Sequence, residues 1–217
     1  MGENAENADY YVGHIFMSAI QTYVKEASKK LFDTGKKTGL MVSLGEQESY
    51  IVPIIETFVV NHAIINFEIT GEVIAKYFKR LRQQEGRGGS SGPKVTEKLI
   101  RARNHYVYVA LDPDKEPARI KIENSSPKRD DPWKKIKESH YMASECIFKP
   151  GLVGKDCEAL DGAIVSVLSQ CEVNFRRGLC NNIVVYGPAV FPGLSERLQL
   201  EIQKKFQGTI EVNVSSL

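Results

Sequence analysis

The chain has 217 residues, 42% of them hydrophobic, and its 29 Lys and Arg nearly balance 27 Asp and Glu to leave a net charge of +2. A chain of this size can bury a full core as one large domain or two small ones. A charge this small argues for neither a nucleic acid nor a membrane surface, so any basic patch is local. Cys146, Cys157, Cys171 and Cys180 form no CxxC pair and have no His at metal-ligand spacing. That pattern fits reduced, buried thiols in an intracellular protein rather than a disulfide framework or a zinc site. The opening MGENAENAD is acidic and polar and reads as no signal peptide, and Glu6 stands where a myristoylation signal needs Ser or Thr. No apolar run approaches the ~20 residues that span a bilayer. Even IVPIIETFVV is broken by Pro53 and Glu56, so a soluble protein is expected.

Val12, Ile15, Phe16, Ala19, Ile20, Tyr23, Val24, Ala27 and Leu31 keep the i, i+3, i+4 rhythm of an amphipathic helix, with Asp9 as N-cap and Gly35 as stop. Three β-rich runs follow, Gly39 to Leu44, Ser49 to Glu56 and Phe58 to Ile69, and the short turns between them predict an antiparallel meander. The period changes at Thr70-Gly71, and Val73, Ile74, Tyr77, Phe78 and Leu81 predict a helix ending near Gln84. Glu85 to Pro93, EGRGGSSGP, reads as a linker or loop; no strand precedes it, so it is not a phosphate-binding glycine loop. A second helical region is predicted from Val95 to about Leu111, followed by a polar stretch holding NSSPKRDDPWKK. Gly162 to Cys171 reads as a helix and Asn182 to Tyr186 as a buried strand. Pro192-Gly193 opens a helix whose Leu194, Leu198, Ile202 and Phe206 face one way, and TIEVNV is the expected final strand. Strands, helices, strand, helix and strand in this order describe an α/β layered domain.

Little of the remaining chemistry is organised. His14, His62, His105 and His140 are scattered, and no Ser/His/Asp arrangement can be argued. The basic stretches KRLRQQEGR and SPKRDDPWKK, the second with Trp133, raise nucleic acid binding. The aspartates inside the second and the near-neutral total favour solvated loops instead.

The order of these stretches resembles that of the actin and actin-related proteins. KKTGLMVSLGEQESYIVPIIE is similar to the phosphate-loop hairpin of the second actin domain, and NHAIINFEITGEVIAKYF to the next strand, its glycine turn and the following helix. YVALDPD, ECIFKPGLVG, SVLSQCEVNFRRGLCNNIVVYG and FPGLSERLQLEIQKKF continue in family order. The resemblance implies an α/β fold with two ribonuclease H-like domains that close on ATP and a divalent metal. This chain corresponds to the second domain, built from subdomains three and four, and the first has no counterpart in it. The expected architecture is one ribonuclease H-like, actin-type ATPase domain with a small helical insertion. Residues 1–34 would supply a hinge-type helix, residues 35–217 the second domain, and about 71–145 the insertion resembling subdomain four.

The resemblance places an ATP site at Gly45, Glu46, Gln47, Arg103, Asn104 and Gly187, and the sequence departs from the family around them. Ser43 stands where the family has an acid that holds the hydrated metal, and Tyr50 where it has a histidine that organises the attacking water. Gln47 replaces a glycine and brings a Cβ to the loop. Glu48 adds a carboxylate that repels phosphate, and Pro188 removes an N–H from the second glycine loop. Arg103 and Asn104 replace a lysine and a glutamate that touch base and ribose; Arg103 retains a surface for stacking on adenine. The expectation is therefore a noncatalytic scaffold or interaction subunit of a cytoskeletal or other multiprotein assembly, with no catalytic or metal-binding residues and no cofactor. The alternative is the nucleotide-binding half of a filament-forming actin-like ATPase, using ATP and Mg²⁺ with its first domain missing or supplied separately. The expected partners are other proteins, actin-type neighbours or a second copy, meeting Lys149, Leu152, Phe175, Arg176 and Arg177. Neither membrane nor nucleic acid is among them. The expected compartment is the cytoplasm, with the nucleus as alternative.

Overall fold

The computed structural model describes residues 21–86, 95–125 and 136–217. The start of the first predicted helix with Asp9 and His14, most of EGRGGSSGP, and most of NSSPKRDDPWKK with Trp133 lie outside the described residues. The strands are β1 (Gly39–Leu44), β2 (Ser49–Ile55), β3 (Phe58–Val59), β4 (Ile65–Phe67), β5 (Ile183–Tyr186) and β6 (Val214–Ser216). They form one mixed sheet in the order β3-β2-β1-β5-β6, with β4 also on β2. β1 and β2 run antiparallel, whereas β1, β5 and β6 run parallel. Parallel pairing needs a long crossover, and all the helices between β4 and β5 lie in one.

Strand β1 is buried along its whole length because both faces of the sheet are covered. Leu40, Val42 and Leu44 point into the larger core with Ile51, Ile183 and Val185, against Phe78, Ile164 and Leu198 from the helices. Met41, Val52, Ile54 and Val184 point the other way, onto Ala27 and Leu31 of helix α1, residues 21–33. A continuous apolar run reads as a strand buried on both faces, and GLMVSL needs two layers of helix.

The third β-rich run is not one strand. It breaks into β3, a 3-10 helix over Asn61–Ala63, and β4. Both strands pair with the same edge of β2, one with Ile54 and Ile55, the other with Ser49 to Ile51. Pro53 lies between these patches. Its carbonyl accepts from Val60 N at 3.0 Å, but it has no N–H to return on that edge, and the ladder stops. The turn from β2 to β3 uses Glu56 and Thr57 at φ 48° and 74°. Such a turn matches the twist of the flanking strands, and it is held by Lys37 O and by the Thr38 hydroxyl, which accepts from Glu56 N.

Between β4 and β5 lie α2 (Gly71–Gln84), α3 (Glu97–Tyr106), α4 (Glu116–Asn124), α5 (Glu138–Glu145), α6 (Leu160–Gln170) and α7 (Val173–Cys180); α8 (Leu194–Lys205) follows β5. α2 packs on α3 and α5. Thr70 and Thr96 cap α2 and α3 by accepting from Val73 N and Leu99 N. The predicted helix to Leu111 ends early, at Tyr106. Val107 is extended and residues 107–111 are neither helix nor strand, with Tyr108 N donating to His140 O and Val109 N to Pro192 O. Gly193, at φ 86°, precedes α8 as expected from Pro192-Gly193. The final strand starts only at the last residue of TIEVNV, since Asn213 already exchanges bonds with Cys180 and Ile183 and sets the register of β6.

Candidate functional site

The β1–β2 loop, the N-terminus of α2, helix α3 and the turn after β5 converge at one end of the sheet. Two backbone bonds fix the first pair: Gly71 N donates to Gly45 O at 2.8 Å and Glu72 N to Glu46 O at 2.9 Å. A helix N-terminus offers free N–H groups to an anion. Here two of those groups are taken by the loop's own carbonyls. Gly45 has no room for a side chain, since a Cβ would come within 2.2 Å of Glu48 O. Gly187, at φ 119°, brings the β5 turn against Leu44 O, which a Cβ would meet at 2.4 Å. Gln47 is exposed at the loop tip and is not among the residues with positive φ, so the loop makes no left-handed step there.

Arg103 is at 0% exposure. Its guanidinium meets the Glu46 carboxylate in a two-point pair, Nη1 to Oε2 at 2.8 Å and Nη2 to Oε1 at 2.5 Å. Nη1 also donates to Gly71 O at 2.6 Å, and Nε and Nη2 both donate to Asn104 Oδ1, at 3.0 and 2.7 Å. The five N–H donors of an arginine are thereby all engaged. The guanidinium lies 5.6 Å from the Phe191 ring centroid. Arg103 thus departs from the stacking surface expected of it: it is an internal brace tying the loop to α2 and α3. Gly71 completes the brace, because a Cβ there would lie 2.5 Å from Glu46 Oε2 and 2.6 Å from Arg103 Nη1.

On the α1 face of the sheet, Ser43 is flanked in register by Tyr50 on β2 and Tyr186 on β5. Ser43 is 6% exposed and both tyrosines 2%. Tyr23 of α1 stacks on Tyr50 with ring centroids 4.3 Å apart and donates to Glu48 Oε2 at 2.6 Å. That hydrogen bond, helped by burial, pushes the Tyr23 phenol up to about 12. Burial pushes Tyr186 up to about 12 as well. Phenol rings therefore occupy the space around the serine. Tyr186 is the residue that sequence reasoning passed over, although strand alternation puts it on the face of Val184.

The five candidate contact residues fall into two groups. Lys149 and Leu152 follow α5 and line one cavity. Phe175, Arg176 and Arg177 lie on α7, where Arg176 donates to Cys171 O and Ser169 O and so caps the end of α6. His62 meets Gln170 O at 3.2 Å. The four cysteines are unpaired thiols, three of them buried.

A sheet ordered β3-β2-β1-β5-β6, antiparallel on one side and parallel on the other, with helices on both faces, defines a ribonuclease H-like α/β domain. The family model described as Actin matches residues 16–94 and 96–217. The chain belongs to the actin family.

Proposed function

We propose that this chain is a noncatalytic interaction or scaffold subunit of a multiprotein assembly, cytoskeletal in the first instance, working without bound ATP. The observation that carries this reading is the Glu46–Arg103 pair. A nucleotide would have to compete with a fully bonded guanidinium and with loop carbonyls already seated on the α2 N-terminus. Ser43 carries no charge for a hydrated cation, and the two tyrosines beside it supply neither a carboxylate nor a neutral imidazole. The residues present therefore fit ATP and Mg²⁺ poorly. Gly45 and Gly187 are explained by turn geometry alone.

The partners are other proteins, actin-type neighbours or a second copy of the chain, with Phe175, Arg176, Arg177, Lys149 and Leu152 as contact residues. The compartment is the cytoplasm, with the nucleus as the alternative. Isothermal titration of ATP with and without Mg²⁺ tests the reading. No binding is expected for the natural sequence, and the Ser43→Asp, Gln47→Gly double variant is the arm that restores the two positions. Micromolar binding by the natural sequence would overturn the proposal in favour of an ATP-binding half of an actin-like ATPase.

A further inference from the structure

Strand β6 ends the sheet, and its free edge lies beside a cavity of about 410 Å³ that shares no residue with the loop site. Ile183 N donates to Asn213 O and Leu217 N to Val185 O, so Asn213, Ser215 and Leu217 turn their backbone groups toward β5. Alternation turns the N–H and C=O of Val214 and Ser216 outward. Among the described residues no strand takes them.

One of these outward groups is already answered. Val214 N donates at 3.1 Å to Oε1 of Gln199, a side-chain amide on α8. That oxygen stands where the backbone carbonyl of a further strand would stand, and it marks the line such a strand would follow. Two residues on, Ser216 offers the next N–H. The sequence VSS carries neither the charge nor the proline with which edge strands turn partners away.

The cavity beside this edge suits a side chain. Leu111 and Leu200, 54% and 43% exposed, form its apolar walls with Val214. Glu196, in the first turn of α8, is the one charged residue in its described walls and makes no ion pair among the described residues.

We propose that the β6 edge accepts an extended segment of a partner protein as a further strand, seating an apolar side chain against Leu111 and Leu200 and a lysine or arginine beside Glu196. Strand addition draws affinity from main-chain bonds and specificity from pockets for alternate side chains. An extended chain suits the edge better than a helix, which satisfies its own backbone and would leave Val214 O and Ser216 N without partners. That the segment belongs to a protein partner rests on the interaction-subunit reading; the edge itself does not.

The test uses the full chain labelled with nitrogen-15 and the peptide acetyl-Thr-Leu-Thr-Lys-Thr-amide. A saturable shift of the Ser216 amide and slower hydrogen exchange there are expected, while the Met41 amide in β1 stays unmoved as the sign of an intact sheet. N-methylating the peptide at alternate residues should abolish binding in one frame and spare it in the other, because only one set of amides faces β6. Ser216→Pro removes an outward N–H that β5 does not use, a place where an edge strand tolerates proline, and should abolish binding. Leu200→Ala should weaken it about fivefold. Glu196→Lys should weaken it about threefold, regained when the peptide carries Glu for Lys. These last two, at exposed positions, serve if Ser216→Pro does not fold. An unmoved Ser216 amide, binding indifferent to the frame of N-methylation, or equal titration of wild type and Leu200→Ala would each overturn the proposal. Dimers in sedimentation that Ser216→Pro abolishes would assign the edge to a second copy and overturn it too. Because loop and edge share no residue, ATP binding would overturn the noncatalytic reading alone, and a silent Ser216 amide the strand addition alone.

Discussion

Arg103 and Glu145 are both ionisable side chains held out of water, at 0% and 1% exposure, yet their surroundings differ at every donor and acceptor. Arg103 spends its five N–H groups on a carboxylate, a backbone carbonyl and an amide oxygen. Glu145 has a cation at 3.7 Å and, among the described residues, no hydrogen bond. Burial of a charge is thus ambiguous until its partners are counted. A saturated charge is a brace, whereas an unsaturated acid meets its burial by holding on to a proton.

The contrast can be broken most severely at Glu46. Glu46→Ala leaves Arg103 buried and unpaired and should cost about 3–5 kcal/mol, the range for removing one partner of a buried pair, as read from urea unfolding. Arg103→Met should cost less, because Glu46 is partly exposed and can turn to water. Next is Gly71→Ala, whose methyl would push between Glu46 and Arg103; about 1–3 kcal/mol is expected for such overpacking. Much of that penalty should vanish in an Arg103→Met background, and a double-mutant cycle measures the difference.

Tyr23 and Glu48 provide a milder, titratable version. The Tyr23 phenol, pushed up to about 12 by its bond to Glu48, holds its proton more tightly folded than unfolded. Its contribution is full below pH 10 and is lost as pH rises toward 12. Glu48→Gln should bring this phenol back toward the ordinary value of 10, and tyrosine carbon-13 shifts followed from pH 9 to 11.5 check it. The smallest stability effect is expected at Glu145→Gln. Burial raises the Glu145 pKa, opposed by Arg197, so the folded state favours the protonated carboxyl. Its contribution is greatest below the ordinary value of 4.5 and declines as pH rises through the folded pKa. The glutamine variant should therefore be within about 1 kcal/mol of wild type at pH 7 and should lose less stability between pH 4 and 7.

The strands β1, β2 and β5 were legible because each is a short apolar run bounded by turn residues, and α2 and α8 because each carries one apolar stripe and a clear start. The single strand expected from Phe58 to Ile69 failed on the missing N–H of Pro53, a residue of the neighbouring strand. The helix expected through Leu111 failed at Val107, where the chain turns extended and Tyr108 and Val109 bond to His140 and Pro192 instead of to their own turn. Helix α5 had no visible stripe, since six of its eight residues are buried, and α7 is short with Gly178 inside it. In the loop, composition was readable as departures from the family pattern: Ser43, Gln47 and Tyr50 stand where the resemblance expects an acid, a glycine and a histidine. The fate of Arg103 was not, because its carboxylate partner lies 57 residues away and only the fold brings them together. Glu145 was invisible for the converse reason, that an absent hydrogen bond leaves no trace in a sequence.

The Glu46–Arg103 brace also shapes what this loop can become. Any single replacement that opens the space first strands a buried guanidinium or a loop acid, and Gly71 cannot gain a side chain while the pair stands. A lineage carrying this pair meets an uneven path, since losing Glu46 first strands a buried guanidinium whereas losing Arg103 first leaves an acid that can turn to water. The brace is, in evolutionary terms, a ratchet.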